Sequence, residues 1–251
     1  MATANLSVGC TGFGGHPPRR YFERLTAVEL QQTFFNPPRR ASLRRLRDQA
    51  PAGFAFVVKV WQLVTHEPGT PGYQQLPKSF KGPLAGAGHF RDVEAVALGW
   101  SRSCEAAVAL DAKALLFESP TSFTPTAEHR RALTRFFERC ARPEGRLLVW
   151  CPAGVWSAEE VTRICRDLQL VPTWDPFADA AGNAPAAPPD LAAAYIRPRG
   201  LGASRRHTDT QLLWLRDQLR RRPGSACCLF CSPLLFGEAE RLLALHDSDV
   251  V

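Results

Sequence analysis

Short apolar runs alternate along the chain with stretches whose apolar residues recur every three or four positions. The runs cover residues 6–10, 27–33, 54–60, 114–118, 147–151, 170–174, 193–197 and 226–231. Their apolar character is largely continuous rather than alternating, as expected for strands buried on both faces. The periodic stretches cover 42–49, 91–111, 126–141, 157–168, 208–222 and 237–245. Leu43 and Leu46 sit on one side of the first, and Leu212, Leu215 and Leu219 form a stripe in the fifth. Ser157-Ala158-Glu159-Glu160 has the spacing of a capping box. The first and sixth crossovers are only weakly helical. Eight buried strands separated by helices predict an α/β fold: a single (β/α)8 barrel of the TIM type, irregular in places.

Two segments interrupt the alternation. Residues 62–89 are rich in Gly and Pro and follow the third strand; residues 175–190 are rich in Ala, Pro and Gly and follow the sixth. Long connections of this kind in a compact domain usually serve a ligand site. In a barrel both would emerge from the C-terminal ends of strands, where such sites lie. The alternation resumes after each, so one domain over residues 1–251 is expected.

Charged groups inside apolar runs are costly unless paired or used. Glu29 and Lys59 fall in neighbouring predicted strands, so an interior ion pair between them is expected. A catalytic role for Glu29 and anion binding by Lys59 are the alternatives. Eight cysteines are scattered along the chain, as befits reduced, mostly buried thiols. Cys228 and Cys231 form a C-x-x-C string within an apolar strand, where alternation sends them to opposite faces. No H-E-x-x-H, H-x-H, paired C-x-x-C, P-loop or dinucleotide fingerprint occurs, so neither a metal site nor a cofactor is expected. Cys10 or Cys231 with His66 is a weak nucleophile pairing that lacks a third orienting group.

Hydrophobic residues make up 45% of the chain and charged residues 22%, which is ordinary for a soluble globular protein. No segment approaches the roughly 20 apolar residues of a membrane span, and Met1-Ala2-Thr3-Ala4-Asn5 does not open a secretory signal. A cytoplasmic location without a membrane partner is expected. The net charge of +7 is carried almost wholly by arginine, since only Lys59, Lys78, Lys81 and Lys113 are lysines. Pro17-Pro18-Arg19-Arg20 after the first strand is echoed by Pro37-Pro38-Arg39-Arg40 after the second. Proline suits a first helical turn, while arginine there opposes the helix dipole. A bound anion would reconcile the two; chance repetition in an arginine-rich chain is the other explanation.

Several of these segments also carry a resemblance. Val8-Gly9-Cys10-Thr11-Gly12-Phe13, Val28-Glu29-Leu30-Gln31-Gln32-Thr33-Phe34-Phe35 and Phe54-Ala55-Phe56-Val57-Val58-Lys59 with Thr65-His66 resemble the first three strands of the YecE-like family. This is a family of unknown function, number seventy-two of its kind. Leu115-Leu116-Phe117-Glu118-Ser119-Pro120-Thr121-Ser122-Phe123 and Tyr195-Ile196-Arg197-Pro198-Arg199-Gly200 resemble its fourth and seventh strands, with Glu118 in place of glutamine and Arg199 in place of histidine. The resemblance implies a barrel and a nucleic-acid role suggested by likeness to apurinic endonuclease barrels. The chain departs from the family pattern at Trp150, Pro152 and Ala153, which stand for glutamate, arginine and histidine, although Trp156 is kept. Cys231 and Ser232 replace two asparagines, Gln31 an asparagine and Phe35 a tyrosine.

These readings give a candidate site at the C-terminal mouth. Glu29, His66 and Asp175 are candidate catalytic groups; Lys59, Thr65, Glu118, Arg197, Arg199, Arg39 and Arg40 are candidate ligand-binding groups. The expected partner is a phosphate-containing ligand or nucleic acid, bound and in one version hydrolysed. Arg19, Arg20, Arg205 and Arg206 extend the basic set, and Trp61, Trp150, Trp156 and Trp174 could stack on bases or plug the barrel. A non-catalytic barrel acting as a binding or partner protein is one alternative. A glycan hydrolase using Glu29 or Glu118 with Asp175 is another. His16 and His207 fall in upper loops beside arginines, while His89, His129 and His246 are expected on helix surfaces.

Overall fold

The eight apolar runs form eight parallel strands: β1 (Leu6–Thr11), β2 (Ala27–Leu30), β3 (Ala55–Lys59), β4 (Ala114–Ser119), β5 (Leu147–Pro152), β6 (Val171–Trp174), β7 (Ala193–Ile196) and β8 (Ser225–Phe230). They follow one another in sequence order around a closed barrel. The computed structural model describes residues 6–178, 193–199, 206–221 and 224–247. Most of the long connection expected after β6, and Arg205 with it, lies outside these residues.

The helices are α1 (Pro18–Phe22), α2 (Gln32–Phe35), α3 (Arg40–Gln49), α4 (Gln62–Thr65), α5 (Glu94–Leu110), α6 (Ala127–Arg139), α7 (Ala158–Asp167), α8 (Asp209–Arg220) and α9 (Phe236–Asp247). Their starts follow capping chemistry. The side chains of Thr126, Ser157 and Thr208 accept from the backbone N–H three residues on, and Gln211 completes a capping box with Thr208. One element departs from the sequence pattern. The second apolar run stays extended only to Leu30 and then turns into α2. Thr33 is the local cause: its hydroxyl lies 2.7 Å from the Leu30 carbonyl and 2.8 Å from that of Lys59. A side-chain hydroxyl bonded three residues back favours a helical turn over a strand.

By its contacts the chain divides into two units, each assembled from separate segments. The first comprises Met1–Glu29, Asp48–Ala55 and Thr173–Val251. In it β1 pairs with β8 on one side and β2 on the other, with Gly9 opposite Ala27 and Cys10 opposite Val28. Tyr21 of α1 inserts its hydroxyl into this second seam. The hydroxyl accepts from the Cys10 amide at 2.8 Å and donates to the Ala27 carbonyl at 2.9 Å. The ring packs edge-on to Phe13 and Phe236, and Phe22 of the same helix packs on Phe54.

The second unit comprises Leu30–Arg47 and Phe56–Pro172. Here β4 pairs with β3 and, over its whole length, with β5. Phe117 of β4 meets Trp100 of α5 and Phe136 and Phe137 of α6, and Phe90 joins them. Gly99 lets α5 approach α4, since a side chain there would press on Leu63 and Val64.

Candidate functional site

In the second unit, polar groups gather at the C-terminal ends of β3 and β4. Lys59 ends β3 and is 7% exposed. Its Nζ lies 2.8 Å from Glu118 Oε1 and 3.5 Å from Gln31 Oε1, and 4.4 Å above the Phe34 ring. The register explains the pair. Lys59 is opposite Leu116 on β4, and Glu118 is two residues further along, on the same face. The lysine is nearly dry while the Glu118 side chain keeps 29% of its surface. The carboxylate is therefore the half of the pair that a ligand can reach.

Thr65 closes α4 and is buried; its hydroxyl sits 2.8 Å from His66 Nδ1. The Tyr73 hydroxyl donates to the His66 carbonyl at 2.8 Å, and the Gln62 amide donates to the carbonyls of Phe35 and Gly72. The imidazole is thus fixed in place, and it packs edge-on to Phe34. Burial, reinforced by Lys59 and opposed by Glu118, pushes its pKa down to about 4. At neutral pH His66 is an uncharged hydrogen-bonding group.

The neighbouring His89 is a functional-type residue that the sequence reading places wrongly. It is 4% exposed rather than on a helix surface. It precedes α5 in a left-handed conformation, as does Phe90. Gly88 lets the loop close on its neighbour: a Cβ there would lie 2.3 Å from the His66 backbone. His89 Nε2 is 3.2 Å from the Ser122 hydroxyl and 3.7 Å from Glu67 Oε2, and Arg91 faces Nδ1 at 3.4 Å. With Arg91 donating to Nδ1, Nε2 carries the proton, which is the wrong tautomer for a base acting on Ser122. Burial pushes this pKa down to about 4 as well. The available sequence signal was Gly86-Ala87-Gly88-His89, a glycine-bracketed loop ending in histidine.

Both histidines bind fewer protons folded than unfolded. Their stabilising contribution is complete above their ordinary pKa of 6.5 and is lost as pH falls from 6.5 toward 4. The urea midpoint should therefore drop between pH 7 and pH 5. His66→Gln with His89→Asn should flatten that drop, and an unchanged pH slope in the double variant would contradict it.

In the first unit, Glu29 is fully buried in β2. Its Oε1 lies 3.0 Å from Arg197 Nη2, and its Oε2 accepts from the Tyr195 hydroxyl at 3.0 Å. Tyr195 is on β7 and Arg197 follows that strand, itself 7% exposed. Two residues apart, they share a face and grip one carboxylate. Burial, then Glu29, raises the Tyr195 pKa, so the phenol stays protonated and donates. Within its own unit Glu29 thus has the Arg197 guanidinium as counter-charge, and within the other Lys59 has the Glu118 carboxylate.

Asp175 follows β6. It accepts from the Phe177 amide at 3.1 Å and lies 3.7 Å from Arg199 Nε. Burial raises its pKa, against the pull of those two neighbours. Cys10 is buried, and burial pushes its thiol up to about 12, so it carries no thiolate at neutral pH. His207 lies in the connection before α8, beside Arg206, and there it is 1% exposed and packed on Phe177. His246 is 8% exposed, again not on the helix surface expected for it. His129 is half-buried and stacked on Phe123. Trp150 is wholly buried in the second unit, with its Nε1 donating to the Ser119 hydroxyl at 2.9 Å, and so plugs rather than stacks.

The remaining arginines of the set behave differently. Arg39 precedes α3 and Arg40 opens it; both are exposed. Arg19 and Arg20 are exposed on α1. None of the four has an acidic partner among the described residues. Among those residues, too, no three His, Cys, Asp or Glu side chains are grouped to hold a metal ion.

Comparison with known proteins adds the fold family. Curated proteins contain no match to the sequence. A DUF72 family protein of Enterococcus faecalis has the same fold, with TM-score 0.72 at 12% identity over 100% of this chain and 99% of its own. A DUF72 family protein of Thermotoga maritima matches with TM-score 0.64 at 19% identity, over 95% of this chain and 97% of its own. A xylose isomerase domain containing protein of Salmonella typhimurium matches with TM-score 0.60 at 14% identity, over 100% and 99%. At these identities the structures speak to the fold alone. The family model described as protein of unknown function DUF72 matches residues 18–231, from α1 to just past β8, and on that match the chain belongs to the DUF72 family.

Proposed function

We propose that this protein binds a phosphate-containing polyanion of the nucleic-acid kind through its exposed arginines, and holds it rather than cleaving it. One observation carries the reading. The buried cations, Lys59 and Arg197, are each neutralised by a carboxylate, whereas Arg19, Arg20, Arg39 and Arg40 are exposed and face no acid among the described residues. In a chain of net charge +7, uncompensated arginine pairs are suited to phosphate oxygens. Binding without turnover is favoured by the strand-end groups. His66, with a pKa near 4, is far from the value that suits a general base at neutral pH. Glu29 is wholly enclosed and gripped from both oxygens.

Fluorescence anisotropy with a labelled single-stranded oligonucleotide tests this. Affinity should fall steeply as salt is raised, by counterion release. Arg39→Gln with Arg40→Gln should weaken binding and reduce the slope of log K against log salt by about 1.4, near 0.7 for each phosphate that is no longer neutralised. The bound strand should emerge intact. Absence of binding at low salt, or a slope unmoved by the double substitution, would remove the reading. Cleavage abolished by His66→Gln would replace it with an enzymatic one.

A further inference from the structure

A second binding feature lies on the outer helical layer of the second unit, apart from the strand ends. A cavity of about 590 Å³ opens along α5 and reaches the C-terminal half of α6. That size is within the range of small-molecule pockets. Its wall is apolar: Val96 and Trp100 of α5 and Phe136 of α6 form it, and Val108, 51% exposed, extends it. The Trp100 indole N–H is already taken by the Ala141 carbonyl at 3.2 Å, so the wall offers a ligand ring surface and little polarity.

The rim carries an excess of positive charge. Four arginines line the cavity, Arg40, Arg91, Arg135 and Arg139, against the carboxylates of Asp92 and Glu105. Both carboxylates are engaged, Asp92 by Arg139 and Glu105 by Arg102, while Arg91 is held by Glu67. Arg40 and Arg135 remain without an acidic partner among the described residues. Cys104 and Cys140 also line the cavity. Burial raises both thiols, Cys104 to about 12, so neither is a nucleophile toward a bound molecule at neutral pH.

We propose that this pocket binds a small amphipathic carboxylate, an acyl or aryl chain ending in one acid group, with the chain against Trp100 and Phe136 and the carboxylate at the arginine rim. The apolar wall fits a hydrocarbon body, and the uncompensated cations fit a single anionic head. The site shares Arg40 with the polyanion reading, but Arg135 and the α5 face take no part in that one, so Arg135→Glu and Ala97→Trp test it separately.

Calorimetric titration with the saturated acids from octanoate to tetradecanoate tests it, with dodecanol and dodecyltrimethylammonium as uncharged and cationic controls. Dodecanoate should bind, at least tenfold more tightly than dodecanol, and the ammonium should bind least. Affinity should rise about fourfold for each added methylene until the pocket is full. Arg135→Glu should weaken dodecanoate at least tenfold and leave dodecanol unchanged. Ala97→Trp, at an exposed position in the pocket lining, should abolish both while the melting temperature stays put. Equal affinity for acid and alcohol would overturn the proposal, as would binding that survives Ala97→Trp. A dimer in sedimentation that Ala97→Trp breaks would assign the face to a second copy of the chain and overturn it too.

Discussion

Glu29→Ala should destabilise the protein by about 3–5 kcal/mol, which for most single domains is a large share of the total. The substitution leaves the Arg197 guanidinium, 7% exposed, without the carboxylate 3.0 Å away, and strips the buried Tyr195 hydroxyl of its acceptor. Removing one partner of a buried pair costs more than the intact pair is worth. That asymmetry supplies the decisive control. Replacing Glu29 and Arg197 together by leucine and methionine should recover most of the loss, because both charges then leave the interior. Denaturant unfolding of the two single variants and the double measures the coupling. A double variant as unstable as the sum of the singles would mean that Glu29 matters for some reason other than its partner.

Gly9→Ala should be comparably severe, by at least about 3 kcal/mol, the upper end for overpacking. An added Cβ at this position would lie 1.8 Å from the Ala27 carbonyl oxygen and 3.1 Å from the Tyr21 hydroxyl. The first of these is backbone in the neighbouring strand and cannot rotate away. Gly53→Ala is the control. Gly53 has open space around its Cβ position and costs only through its φ of 80°, about 1–2 kcal/mol. If thermal unfolding ranks the two the other way round, the close approach of β1 to β2 is not what requires glycine.

These two positions also mark how far the sequence could be read. The strands were legible because runs such as Ala55–Lys59 and Ala114–Ser119 are buried along nearly their whole length, which no loop or surface helix imitates. Where a side chain competes with the ladder, the pattern misleads: nothing in the apolar run around Thr33 announces a hydroxyl that turns the chain. The charged residues were legible as anomalies, since burial of Glu29 or Lys59 demands an explanation. Arg197 as the neighbour of Glu29 and Glu118 as that of Lys59 were not. Alternation assigns a face, but which charge meets which depends on register, and the offset that puts Glu118 beside Lys59 is not a property of either segment alone. His89 was missed for a related reason. Its burial comes from a loop that Gly88 lets close on its neighbour, not from an apolar neighbourhood in the sequence.

The Tyr21 hydroxyl, shared between the Cys10 amide and the Ala27 carbonyl, turns the five-residue α1 into a clasp on the seam between β1 and β2. In barrels the loops that leave the C-terminal ends of strands are the parts that lengthen, shorten and diverge, because the sheet does not depend on them. Here the sheet does depend on one. Any insertion between Thr11 and Tyr21 must return the phenol to the same gap or leave two strands unlatched, so the stretch that looks freest to vary is held to a fixed length by a single oxygen atom.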